Sequence, residues 1–79
     1  MKGERLTTGQ AIRRARERAE MSRKELIELS GIGESSLPKY EADMNAPGLY
    51  ALVAMADALG ISIDELIGHK PKRRTSQND

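Results

Sequence analysis

Gly33-Glu34-Ser35-Ser36-Leu37-Pro38-Lys39-Tyr40-Glu41 is a run of residues suited to bonding with something outside the chain. Leu37 and Tyr40 lie three apart and make one apolar face, so on a helix Glu34, Ser35, Pro38 and Lys39 fall on the side left for solvent or a partner. Serine hydroxyls and a lysine ammonium donate, and a carboxylate accepts. This is the chemistry of reading a polar surface, not of covalent catalysis. No nucleophile–base pair, phosphate-cradling glycine loop or metal-spaced cluster occurs, so no catalytic residue, metal or cofactor is expected. Ser62 and His69 are explained as a helix cap and a tail residue.

The elements that must position this face begin at Met21. Ser22 and Glu25 spell a capping box, in which each side chain takes a backbone N–H that the first helical turn leaves unpaired. Met21 and Leu26 flank it at the spacing of a hydrophobic staple. Leu26, Ile27 and Leu29 are expected to form a buried stripe. Gly31 suits the left-handed residue that ends a helix, and Ile32 can fold back on the stripe. Two short helices joined by a glycine turn, one anchored and one displayed, is the helix-turn-helix arrangement.

Around this pair the same signals recur. Thr7 and Gln10 form a second capping box, which predicts a first helix from about Thr8 to Ala19 with Ala11, Ile12, Ala15 and Ala19 along its apolar stripe. Arg16 sits within that stripe, where a partly buried charge needs a carboxylate, and Glu20 lies one turn away. The connector Ala42–Gly48 leads to a nearly all-apolar helix over about Leu49–Leu59, placed either centrally or against another chain. Asp43 tolerates a left-handed conformation at the preceding helix end. Gly60 stops the fourth helix. Ser62 with Glu65, and Ile61 with Leu66, repeat the box and staple ahead of a fifth helix near Ile63–Ile67, closed by Gly68. Residues 1–6 read as a flexible basic arm, 7–68 as one all-α domain of five helices, and 69–79 as a disordered basic tail.

Composition limits the alternatives. The chain has 79 residues, no cysteine, one histidine, and neither Phe nor Trp, so aliphatic packing must stabilise it without disulfides or thiolate zinc sites. The start lacks an apolar signal region and the longest apolar run, Leu49 to Ala56, is too short for a bilayer, which makes a cytoplasmic protein with no membrane partner the default. The formal charge of +1 conceals an asymmetry. Basic residues dominate positions 1–24 and the tail, whereas Lys39 alone faces eight acids across 25–69. Basic ends around an acidic middle suit a bipolar surface with one face for phosphates.

The series Ile12-Arg13 and Arg16, Met21-Ser22, Lys24-Glu25-Leu26, Gly31-Ile32, Ser35-Ser36-Leu37, Lys39-Tyr40-Glu41, Pro47, Ala58 to Ser62 and Asp64-Glu65-Leu66 resembles the lambda-repressor-like (Cro/C1, or XRE) DNA-binding domains over residues 6 to 68. The resemblance implies a sequence-specific double-stranded DNA binder, a bacterial or phage transcriptional regulator of the repressor type. It also implies a homodimer on two half-sites about one helical turn apart. Helix four and the helix-five region are then the candidates for self-contact. DNA contacts fall on Ser22, Arg23, Gly33, Glu34, Ser35, Ser36, Lys39 and Asn45, and an ion pair joins Arg16 to Glu41 instead of Glu20. Arg23 stands where relatives commonly carry glutamine and would clamp a phosphate. Glu34 would either accept from a cytosine amino group or simply favour the helix dipole.

Three departures bear on the base contacts. Pro38 falls inside a recognition helix that starts at Gly33, but in the first turn of one that starts at Ser35. Ile27 replaces a small residue at the helix crossing, and the connector lacks basic residues. A protein-binding module on the same fold, a regulatory partner or antitoxin-like adaptor, is the alternative that the acidic middle, Glu34 and Pro38 motivate.

Overall fold

In the computed structural model, which describes residues 6–68, the hydroxyl of Thr7 opens the first helix and three separate capping boxes open three of the five. The helices are α1 (Thr8–Arg18), α2 (Arg23–Ser30), α3 (Ser36–Glu41), α4 (Leu49–Leu59) and α5 (Ile63–Ile67). The expected arm, apart from Leu6, and the expected tail lie outside the described residues. Thr7, Ser22 and Ser62 each accept from the backbone N–H three residues on, and Gln10, Glu25 and Glu65 each return a bond to the cap's own N–H. Each cap is worth about 1 kcal/mol to its helix. Gly31, Gly60 and Gly68 close α2, α4 and α5 in the left-handed conformation.

Every helix sends one or two side chains to a shared core. Ile12 of α1, Leu26 of α2, Leu37 of α3, Met55 and Ala56 of α4 and Leu66 of α5 are buried together, with Met21, Ile27, Ile32, Tyr40 and Ile61 packed at the edge. Burying such an aliphatic side chain contributes about 1.5–3 kcal/mol. Leu29 does not belong to the stripe: it is 63% exposed, against the sequence expectation. On the helix Leu29 lies on the far side of Leu26 from Ile27, and the side of α2 that meets the core is the one carrying Leu26 and Ile27. Helix α4 is not buried all round either, since Leu49, Tyr50 and Val53 are exposed.

Helix α1 meets α3 end to end through a latch that no local pattern announces. Asp43, left-handed at φ 60, follows α3 and brings its carboxylate to the start of α1. There it accepts from the Thr7 hydroxyl at 2.6 Å and from the Gly9 N–H at 2.9 Å. A carboxylate at the positive end of a helix is favourable in itself. The approach leaves no room at Gly9, where an added Cβ would sit 2.4 Å from the Tyr40 carbonyl oxygen and 2.7 Å from that of Glu41. Gly9→Ala is therefore expected to destabilise the fold by about 1–3 kcal/mol, since an overpacked backbone contact outweighs the better helix propensity of alanine. Gly48→Ala, where a Cβ meets nothing within 4 Å, should be nearly neutral. Urea denaturation of the two variants checks the contrast.

Candidate nucleic-acid interface

Helix α3 begins later than Gly33. The Ser36 N–H donates to the Gly33 carbonyl at 3.0 Å, so residues 33–36 form a turn and the helix proper covers six residues from Ser36 to Glu41. Ser35 occupies the cap position without a side-chain cap bond. Pro38 is the third helical residue, where its missing N–H would have found no acceptor within the helix, which is how a proline sits there without breaking it. The register that starts the recognition helix at Gly33 is thereby replaced by a later one. Leu37, fully buried, and Tyr40, at the core edge, seat the helix.

The polar side of this short rod is open. Gly33, Glu34, Ser35 and Lys39 are exposed, and Ser36 and Pro38 are half-buried. Ser22 and Arg23 at the start of α2 are exposed, as is Asn45 in the connector. A shallow depression of about 350 Å³ between α2 and α3 is lined by Arg23, Lys24, Ile27, Glu28, Glu34 and Pro38. Ile27 and Pro38, two of the departures noted in the sequence, thus face one groove. Lys24 and Glu28, which the sequence reading did not single out, share it.

Beneath this face lies a buried carboxylate. The Glu41 side chain is 2% exposed. Arg16 donates from Nε to Glu41 Oε2 at 2.7 Å and from Nη2 to Oε1 at 3.3 Å, and its Nη1 donates to the Met21 carbonyl at 2.9 Å. The Glu41 hydrogen bond raises the Arg16 pKa above its ordinary value, against the opposing effect of burial. Glu20, the local alternative, is left-handed at φ 57 in the turn that ends α1. A second arginine reaches the same carboxylate: Arg23 Nε donates to Glu41 Oε1 at 3.0 Å. No spacing rule connects residues 18 apart on different helices, so this contact is absent from a sequence reading. One glutamate therefore ties α1, α2 and α3 together.

The helix-turn-helix family model matches residues 12–66. The chain belongs to the helix-turn-helix family. It is of the lambda-repressor-like, Cro/C1 type. The HTH-type transcriptional regulator ImmR of Bacillus subtilis (strain 168) is 27% identical over 74 residues, which are 94% of this chain and 58% of ImmR. The chain spans about half the length of the curated relatives it matches. The crystal structure of the restriction-modification controller protein C.AhdI from Aeromonas hydrophila superposes with a TM-score of 0.71 at 30% identity, covering 75% of this chain and 89% of that one. The P22 c2 repressor protein, solved in complex with the synthetic operator 9T, shares the fold at a TM-score of 0.72 and 23% identity, over 82% of this chain and 98% of that one.

In this helix-turn-helix domain the ion cluster and the exposed face are separable by mutation. Arg16→Met removes the buried partner, and a loss of about 3 kcal/mol is expected, at the low end for a broken buried pair because Arg23 remains on Glu41. Arg23→Ala, at a half-exposed side chain, should cost under about 1 kcal/mol. Thermal denaturation followed by circular dichroism should give melting points that differ by more than about 8 °C between the two.

Proposed function

We propose that the chain is a sequence-specific double-stranded DNA-binding transcriptional regulator of the repressor type, bacterial or phage, and that α3 enters the major groove. The observation that carries this reading is the open polar side of α3 seated on a buried Leu37, next to the basic start of α2. A helix in the major groove needs side chains that reach base edges and neighbours that hold phosphates. Glu34, Ser35, Ser36 and Lys39 serve the first need, and Ser22, Arg23, Gly33 and Asn45 the second. The late start of α3 moves Glu34 and Ser35 into the turn ahead of the helix, where both are exposed. That ImmR is a transcriptional regulator, C.AhdI a restriction-modification controller and the P22 c2 repressor solved on an operator supports the same assignment.

Self-association belongs to this proposal. Leu49, Tyr50 and Val53 give α4 an exposed apolar surface, Tyr50 at 89% exposure, and pairing two copies multiplies a modest single-domain affinity. Among the described residues no helix is long and apolar enough to cross a membrane, in keeping with action in the cytoplasm.

Selection of bound sites from a pool of random duplexes should recover an inverted repeat with half-sites about one helical turn apart. Affinity for that duplex should fall steeply as salt rises. Lys39→Ala should weaken binding without lowering the melting point. A flat salt response with no enriched sequence would sink the regulator reading. A protein captured in place of DNA would turn it toward the interaction module that the acids Glu28 and Glu34, both lining the α2–α3 depression, otherwise favour.

A further inference from the structure

Glu41 holds two guanidiniums that differ in what they have left to donate. Arg16 is committed: Nε, Nη1 and Nη2 all have acceptors, and its side chain is 12% exposed. Arg23 gives only Nε to the carboxylate and is 49% exposed, with no acceptor for its two terminal amino groups among the described residues. A guanidinium is rigid and planar, so fixing Nε–H on Glu41 also fixes the direction of the edge formed by the two amino groups. That edge has the spacing of a bidentate oxyanion site.

The local charge leads to the same ligand. Two guanidiniums and one carboxylate leave one net positive charge, and the guanidinium open to solvent is that of Arg23. A phosphodiester carries one negative charge. Arg23 is also the first residue of α2, an eight-residue helix in which Ser22 takes the Glu25 N–H, leaving earlier first-turn N–H groups without a side-chain acceptor among the described residues. Arg23 thus belongs to the first turn of α2, whose positive end favours the same anion.

We propose that Glu41, beyond tying three helices, is a positioning residue for DNA: it orients Arg23 so that the outer guanidinium edge, with the first turn of α2, takes one backbone phosphate. The inference rests on the DNA-binding reading above and adds a role for a residue that touches no DNA. Without the carboxylate, Arg23 is a flexible surface side chain that must be ordered afresh on each binding event.

The test uses the 79-residue chain and the duplex recovered by selection, with dissociation constants measured across a salt series for wild type, R23Q, R23K, E41Q and the R23Q/E41Q double variant. R23Q should make the slope of log affinity against log salt shallower by about 0.9, the signature of one lost phosphate contact. R23K keeps the charge but cannot serve Glu41 and a phosphate through one rigid fork, so it should lose about three- to tenfold in affinity at nearly unchanged slope. E41Q, compared at a temperature where it is folded, should weaken binding by a clearly larger factor in the wild-type background than in R23Q, where only the Arg16 pair is left to lose. An R23Q slope equal to wild type, an R23K affinity equal to wild type, or an E41Q loss of equal size with and without Arg23 each overturns the proposal. If E41Q does not fold, the R23Q slope and the R23K affinity decide. A flat wild-type salt response instead removes the DNA reading itself, so the two failures are distinct.

Discussion

The carboxylate of Glu41 is the constraint that the arrangement of α1, α2 and α3 depends on. A charge 2% exposed would be costly if unpaired, and it is stable here because two arginines from different helices reach it. Its position is set by α3, those of Arg16 and Arg23 by α1 and α2. Any shift of α3 along or about its axis moves the carboxylate away from at least one of its donors. The bonds are directional where the aliphatic core is not, so the core supplies most of the stabilisation while the ion cluster selects one orientation of α3 among those the core would accept.

This matters because the helices are short. At five, six and eight residues, α5, α3 and α2 are each below the length at which an isolated helix holds in water. Capping boxes lower the cost of starting α1, α2 and α5, but α3 has no side-chain cap. It is held instead by Leu37 beneath, by Glu41 at its last turn, and by the Asp43 latch to the start of α1. The element proposed to read DNA is thus the one most dependent on tertiary contacts. Its polar side is left free because its anchoring comes from Leu37 and Tyr40 on one face, one buried charge and one turn.

The late start of α3 follows from the same economy of contacts. With Pro38 in the third helical position, the chain avoids both the lost backbone bond and the carbonyl clash that an interior proline brings. The residues before it, Gly33 to Ser35, are left in an exposed turn ahead of the helix. Two bases, Arg23 and Lys24, and two acids, Glu28 and Glu34, line the α2–α3 depression. Such a mixed surface discriminates among partners more than it attracts every polyanion, because misplaced like charges repel.

What the sequence determined by itself was everything governed by near neighbours. The capping pairs Thr7–Gln10, Ser22–Glu25 and Ser62–Glu65 fix where three helices start, and Gly31, Gly60 and Gly68 fix where three end, since these bonds and dihedrals span five residues or fewer. The five-helix layout followed from that order of signals, and the family from the residue series from Ile12 to Leu66 that resembles it. Only the tertiary structure decided which of two carboxylates, Glu20 or Glu41, lay within reach of Arg16, that Gly9 must be small, that Leu29 faces out, and where α3 begins. Each of those depends on atoms brought together from distant parts of the chain, and no periodicity or local spacing records which distant groups will meet.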